Sequence, residues 1–405
     1  MTLQTALSGL LGAQTGLNTV SNDLANASTT AFKSQTALFE DVYPADANDV
    51  PGTGTATEAI SSDLTQGDLT ATGNPLDAAI QGSGYFLVSS AGTQQYTRDG
   101  AFQLGTNGQL ETVNKASVLG YGATGGTLGP ITVNTGAVPA NASSALGMAL
   151  NLNSGDAEIP STTTFSETNP ASYSETTSVV SYDSLGNANR VQLYLVQNQP
   201  AVAGNTPTWT VYAQPQLANG TDVGTPTTLT TLGFSSSGAL TSGGTPTMPV
   251  NWGNGAAASN LAFNFTGTSF AAQSFGVAGL TNDGYAPGTY SGTSINSAGN
   301  VISTYTNGET VNNGTLALAN FINPEGLTPV SGNLYAASTT SGQPVVDTAG
   351  SGLAGSTTLS GGNLEASNAA TSTLLVSLIQ YQQAYQANTS VIQTEQQDST
   401  RLTQI

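Results

Sequence analysis

Leucine recurs every seven residues at the head of the chain, at Leu3, Leu10, Leu17 and Leu24, and a second row, Ala6, Ala13, Val20 and Ala27, follows three residues behind it. A hydrophobic period of 3.5 is the a/d pattern of a helix that buries one stripe against a partner helix. Leucine on one row and small residues on the other would let the partner approach closely. Gly9, Gly12 and Gly16 read as lying off this seam, where each weakens the isolated helix by up to about 1 kcal/mol relative to alanine. Such a helix is expected to be stable only when packed. At the other end Leu364, Leu374, Leu378, Tyr381, Tyr385, Ile392 and Leu402 keep the same spacing, with Thr371, Asn388, Glu395 and Ser399 as polar interruptions. A continuous helix over Glu365 to Ile405 would extend about 60 Å at about 1.5 Å per residue, enough to lie along the first. Neither helix has a charged outer face, and such helices are usually covered by other protein. Further copies of the same chain are the expected cover, with the helices frayed in the monomer and ordered on polymerisation.

Between the two ends the pattern changes. Residues 31–73 lose periodicity, collect Pro44, Pro51, Gly52 and Gly54, and read as an extended connector. Then Gly84–Ser89, Thr93–Arg98, Ala101–Leu104 and Gln109–Val113 form short β-favouring runs. Ala91-Gly92, Asp99-Gly100 and Asn107-Gly108 separate them as hairpin turn signals. Further strands are expected at Thr176–Tyr182, Asn189–Gln197, Thr208–Ala213 and Asn260–Thr266, and in a third stretch from Thr289 to Tyr335 with turns at Asn307-Gly308 and Asn313-Gly314. No strict repeat and no β-to-α alternation is present, which disfavours solenoids and doubly wound sheets. The fold class expected is mainly β with paired terminal α-helices, a coiled-coil-like inner domain and antiparallel β-barrel- or sandwich-like outer domains. At 405 residues several domains are expected.

Composition then removes function classes. Only 7% of residues are charged, and 5 Lys+Arg against 24 Asp+Glu leave a net charge of −19. Lys33, Arg98, Lys115, Arg190 and Arg401 could not neutralise a run of phosphates or bind an anionic membrane surface. With no Cys and no His, disulfides, thiolate metal sites and the commonest general base are all missing. Met1 to Gly12 has no basic n-region and no continuous apolar core, so a Sec signal peptide is not expected, nor is a membrane span.

Little chemistry remains to be placed. Gly82-Ser83-Gly84 leads into a strand with no following Lys, and so is a turn rather than a phosphate loop. Asp63 with Asp68, or Asp77 with Asp99, could serve as acid and base in glycoside chemistry, although solvated surface carboxylates are the simpler reading. Asp183 to Asn189 gathers oxygen ligands but lacks the order of a calcium loop, and a hairpin turn explains it better. No catalytic residue, cofactor or metal is expected.

Three separated motifs resemble those of the bacterial flagellar rod and hook family. The first runs through Leu7, Leu10 and Leu17 to Thr30, with Asn22, Leu24, Ala25 and Asn26, and continues into Phe32 and Lys33. The second takes in Asn74, Pro75 and Leu76, then Gly84, Arg98 and Gly100. The third is the entry to the last helix, Asn363-Leu364-Glu365-Ala366-Ser367-Asn368. About 130 residues inserted after Leu150–Ser154 are similar to the outer domain of the hook branch. The resemblance is weakest from Ala201 to Ala258.

That resemblance implies a terminal helical polymerisation domain of residues 1–30 with 364–405 and a connector of residues 31–73. It implies an inner β-domain of residues 74–150 with 282–363 and an inserted outer β-domain of residues 151–281. It also implies a structural subunit that forms a flexible curved tube transmitting torque, exported through the flagellar secretion apparatus and located outside the cell. The polymerisation seam would be Leu3, Leu10, Leu17, Leu24, Leu374, Leu378, Tyr381, Tyr385, Ile392 and Leu402. The partners implied are other copies of the chain and the rod, hook-cap and hook–filament junction proteins. Rival readings are another flagellar axial protein, an exported surface adhesin, or an enzyme using carboxylates alone.

Overall fold

Thr2–Ala25 forms one uninterrupted helix, α1, and Thr371–Leu402 forms the second, α2. The computed structural model describes residues 2–43, 52–198, 208–351 and 357–402. α1 ends where Asn26 folds its side-chain amide back onto the Asn22 carbonyl at 3.0 Å, and the chain reverses at Ala31 in the left-handed region, φ 55. The two terminal helices pack together within one chain.

The stretch read as an extended connector carries a β-hairpin, β1 (Gln35–Val42) and β2 (Gly54–Ser62), paired antiparallel with a register shift between Leu38 and Phe39. Its turn, including Pro44 and Pro51, lies outside the described residues. The hairpin packs on α1, and Thr55 N–H donates to Ser8 Oγ at 3.2 Å. Its strands look irregular in sequence because nearly all their residues are exposed or half-buried, Ala37 being the one buried side chain of the two, so no burial-driven alternation results.

The chain divides into two compact units. The first, Met1–Thr135, Gly292–Ser303 and Thr310–Ile405, holds both helices, the hairpin and an antiparallel sheet. In that sheet Thr310–Asn320, Ser117–Gly122, Tyr85–Ser90, Thr93–Thr97, Leu334–Ala336 and Thr328–Val330 lie in this order. Tyr85, Leu87, Tyr96, Leu119, Ala317 and Ala319 form its core. Two short ladders, Leu69–Ala71 with Asn363–Glu365 and Ala78–Gln81 with Thr358–Gly361, bring the entry to α2 back beside the first β segments.

The second unit, Gly136–Ser291 with Thr304–Glu309, has two sheets. One is a meander of Glu175–Tyr182, Ala188–Asn198, Thr208–Gln216, Thr227–Phe234 and Leu240–Ser242. The other gathers Thr247–Val250, Ser259–Asn264, Ala145–Asn153, Ser269–Ala271 and Gly276–Asn282. A single apolar cluster draws on both sheets, including Leu150, Leu193, Trp209, Trp252 and Phe263. Ala145–Asn153 pairs in parallel with Ser259–Asn264 and with Ser269–Ala271, a departure from the all-antiparallel expectation. Parallel pairing needs a long crossover, and the meander sheet supplies it.

Two expected turns also differ. Asp99-Gly100 joins no hairpin: Thr93–Thr97 pairs with Tyr85–Ser90 and Leu334–Ala336, whereas Phe102–Leu104 pairs with Leu110–Thr112. Glycine is required at position 100 because a Cβ would stand 1.7 Å from the Ala78 carbonyl oxygen. Asn313-Gly314 lies inside the strand Thr310–Asn320, with Gly314 at φ +148 close under the Tyr121 carbonyl. Ala91-Gly92 and Asn107-Gly108 do turn the chain, with Gly92 at φ 81 and Gly108 at φ 78.

Candidate functional site: a charged node and the paired terminal helices

Glu365, at the end of the ladder Asn363–Glu365, is the centre of a buried charged node. Its Oε1 lies 2.6 Å from Lys33 Nζ and its Oε2 2.9 Å from Arg98 Nε, with the three side chains at 0%, 4% and 7% exposure. The spare donors are also matched. Lys33 Nζ donates to the Thr65 carbonyl at 2.6 Å, Arg98 Nη1 to Gly84 O at 2.9 Å and Nη2 to Gly82 O at 3.1 Å, and Gly67 N–H donates to Glu365 Oε1 at 3.0 Å. Burial alone pushes the Glu365 carboxyl up, but Arg98, Lys33 and the Gly67 N–H together hold it below the usual carboxylate range. Burial lowers the Lys33 amine, against the pull of Glu365.

Backbone bonds tie the same segments. Ala31 N–H donates to Glu365 O at 2.7 Å and Ala366 N–H to Asp68 O at 2.8 Å. Asn368 completes the lacing, accepting from Ser34 N–H at 2.8 Å and donating to Asp63 O at 2.8 Å. Lys33, Gly84, Arg98, Glu365 and Asn368, dispersed over the sequence motifs, therefore meet at one place. The other motif residues shape the chain around it. Asn22 and Asn26 close the end of α1, Leu24 and Phe32 are half-buried, and Ala25 is exposed. Asn74 bonds Asp77 at 2.8 Å and the Leu76 N–H at 3.2 Å, while the Pro75 carbonyl accepts from Ile295. Ser367 Oγ accepts from Ala369 N–H just before α2.

On the helices, the buried stripe of α1 is not the leucine row. Ala6, Ala13 and Val20 are its centre at 5–6% exposure; Leu10, Leu17 and Leu24 are half-buried on its rim, and Leu3 is 47% exposed. Gly9 and Gly16, read as off the seam, face α2. A Cβ at Gly9 would come within 2.8 Å of Asn388 Nδ2, and one at Gly16 within 2.4 Å of the Tyr381 ring. Gly12 turns to the hairpin instead, where a Cβ would lie 3.4 Å from Thr55 and 3.5 Å from Phe39. Glycine is there because it lets tyrosine and asparagine side chains reach the helix backbone. On α2, Leu374, Leu378, Tyr381 and Ile392 are half-buried and Tyr385 is 36% exposed; the Leu402 side chain lies outside the described residues.

Both helices keep a second apolar face uncovered. Leu3, Leu7 and Leu11 on α1 are 47–56% exposed, and Leu375, Val376, Ile379 and Val391 on α2 are 46–56% exposed. Leu38, Phe39 and Ile60 of the hairpin are exposed as well. α1 carries Asp23 as its one charged residue.

The remaining carboxylates are held by local structure. Asp183 accepts from the N–H groups of Leu185 and Asn187 and from the amides of Asn187, Asn189 and Asn254. Despite its burial these bonds hold it down at about 2, and a set of donors is the reverse of a calcium loop. Asp77 and Asp99 do lie near enough to repel. Burial, and then Asp77, raises the Asp99 carboxyl, but each is occupied by turn hydrogen bonds, from Thr72 and Asn74 in one case and Ala101 N–H in the other. Among the described residues no group of three or more acidic side chains is placed to hold a metal, and no helix is long and apolar enough to cross a membrane.

The profile of the flagellar hook protein FlgE/F/G D1 domain matches residues 79–147, and that of the flagellar basal body protein FlaE D2 domain matches residues 151–285. The profile of the flagellar basal body rod FlgEFG protein C-terminal matches residues 360–405. The flagellar hook protein FlgE of Salmonella typhimurium is 36% identical over 409 residues, covering 98% of each chain. The chain belongs to the flagellar hook protein family. FlgE of Escherichia coli K12 is likewise 36% identical, over 418 residues and 98% of each chain. The crystal structure of Helicobacter pylori FlgE2 shares the fold at 14% identity, with a TM-score of 0.54 over 72% of this chain and 98% of that one. The protein is therefore a structural axial component of the flagellum that assembles with copies of itself.

Proposed function

We propose that this chain is the subunit of the flagellar hook, a curved tube that transmits torque from the motor to the filament. The observation that carries this reading is the uncovered apolar face on each terminal helix, Leu3, Leu7 and Leu11 on one and Leu375, Val376 and Ile379 on the other. Monomeric proteins rarely expose contiguous apolar patches of this kind, and helices so poor in charge need a protein cover. In this reading residues 1–30 and 364–405 line the tube and residues 31–73 connect them to an inner β-domain of residues 74–150 and 282–363. Residues 151–281 face outward, as a barrel- or sandwich-like domain. The half-buried Leu10, Leu17 and Leu24, with Ile392, extend the contact between copies. Rod, hook-cap and junction proteins would meet the ends of the tube, and the flagellar export apparatus would deliver the chain.

The test is a chain carrying Leu7→Glu and Leu11→Glu. Electron microscopy and sedimentation should find no tubes, while circular dichroism matches the parent. Normal tubes from this variant would remove the helix faces from the assembly surface.

A further inference from the structure

The least explained polar group of the first unit is Asp23. It is fully buried in the last turn of α1; Oδ2 accepts from Gln35 N–H at 2.8 Å, and Oδ1 has no partner among the described residues. No cation lies ready to compensate it: Lys33 is taken by Glu365 and the Thr65 carbonyl. The negative end of the α1 dipole adds to the cost of an uncompensated charge here. Asp23 is among the residues lining an open-sided cavity of about 280 Å³ between α1, β1 and the start of α2. Its other polar lining includes Thr19, Ser34, Asp63, Thr373 and Ser377, and no lysine or arginine.

We propose that this cavity binds a hard cation of the calcium class, with Asp23 as the anchoring ligand. Two carboxylates with hydroxyl oxygens are the donor chemistry such ions take; no cationic side chain lines the cavity, and the Lys33 charge reaches Asp63 only from the node outside it. At about 30 Å³ per water the space exceeds that of a bare ion, so the ion would keep several waters and bind in the weak range of extracellular calcium modules, roughly 0.1–1 mM. The bound ion would join the end of α1 to β1 and to α2, the three elements that supply the lining. The site lies within one chain and shares Leu374 and Tyr381 with the expected seam, so its test is made on the unassembled chain.

Terbium(III) luminescence on the full-length chain tests it, because Tyr381 lines the same cavity and can sensitise a bound lanthanide. Emission excited through tyrosine should saturate, fall when Ca²⁺ is added in the millimolar range, and be lost in Tyr381→Phe, which leaves the ligands in place. Asp23→Asn keeps an acceptor for Gln35 N–H and should weaken terbium binding at least tenfold. Should that variant fail to fold, Asp63→Asn should weaken binding by a similar factor. Emission that Ca²⁺ does not displace, or that survives both carboxylate changes, would overturn the proposal. So would an Asp23 carboxyl that titrates identically with and without Ca²⁺ by NMR, since a proton rather than a metal would then satisfy it.

Discussion

Replacing Glu365 with glutamine keeps the shape of the node and removes its only negative charge. In the parent, one carboxylate serves two cations at 2.6 and 2.9 Å with all three side chains nearly or wholly buried. After Glu365→Gln, Lys33 keeps the Thr65 carbonyl and Arg98 keeps those of Gly82 and Gly84, but two desolvated positive charges face a neutral amide. Removing one member of a buried ionic cluster typically costs about 3–5 kcal/mol. Lys33→Met leaves the Arg98–Glu365 pair intact, and the Thr65 carbonyl keeps the Asn368 amide at 3.2 Å, so it should cost only about 1–3 kcal/mol. A fully apolar triple variant should not recover stability, because Gly67 N–H and the carbonyls of Gly82 and Gly84 would lose their node partners. Denaturant unfolding followed by far-ultraviolet circular dichroism would report on the helices. Fluorescence of the only 2 tryptophans, Trp209 and Trp252, would report on the other unit.

The acid limb checks the sign. The Glu365 carboxyl is held below its ordinary 4.5, so its contribution is present above that pH and is lost as pH falls through the folded value. The glutamine variant should lack this loss. The Lys33 amine is lowered from 10.5, so the penalty for its buried charge applies below its folded value and is relieved as pH rises through it. A Glu365→Gln chain within about 1 kcal/mol of the parent, or no more affected than Lys33→Met, would refute the node as the tie between the chain ends.

Three further outcomes follow from the geometry. Asp183→Ala should destabilise the second unit by about 2 kcal/mol, read by tryptophan emission. Because Asp183 is lowered from 3.8 to about 2, that contribution should be present above the higher value and lost as pH falls through the lower one. Gly100→Ala places a Cβ 1.7 Å from the backbone oxygen of Ala78, which cannot rotate away, and should cost about 3 kcal/mol or more in thermal unfolding. Gly16→Ala meets only the Tyr381 ring, at 2.4 Å. It should raise the helicity of a 1–30 peptide by about 1 kcal/mol while speeding hydrogen exchange around Tyr381 in the full chain.

The helices and most strands were legible because their signals are local: a period of 3.5, β-favouring runs, and paired Ala-Gly or Asn-Gly turns. What lies between elements was not. Gly9 and Gly16 look like helix weaknesses until Asn388 and Tyr381 are seen against them, and the partner is more than 350 positions away. The hairpin was missed because its exposed strands do not alternate. Gly100 was read as a turn because a glycine forced by close approach and one forced by positive φ look alike in sequence. Among the motif residues, the sequence marked Lys33, Arg98 and Glu365 by resemblance, but only the ladders that return residues 358–365 to the first unit bring their charges together.

The node also changes what the surface can do. With Lys33 and Arg98 committed to Glu365, Lys115, Arg190 and Arg401 are the remaining cations of a chain with 24 acidic residues. In the proposed assembly, opposed copies therefore meet with like charge and few opportunities for ion pairs, and the apolar helix faces would have to draw them together against that repulsion. At about 0.1 M salt the screening length falls to about 10 Å, which weakens the repulsion and leaves apolar contact intact. Added sodium chloride should thus lower the critical concentration for tube formation, measured by light scattering and confirmed by electron microscopy. An interface built on ion pairs would respond in the opposite direction, so tubes that dissolve as salt is raised would contradict an apolar, charge-poor joint.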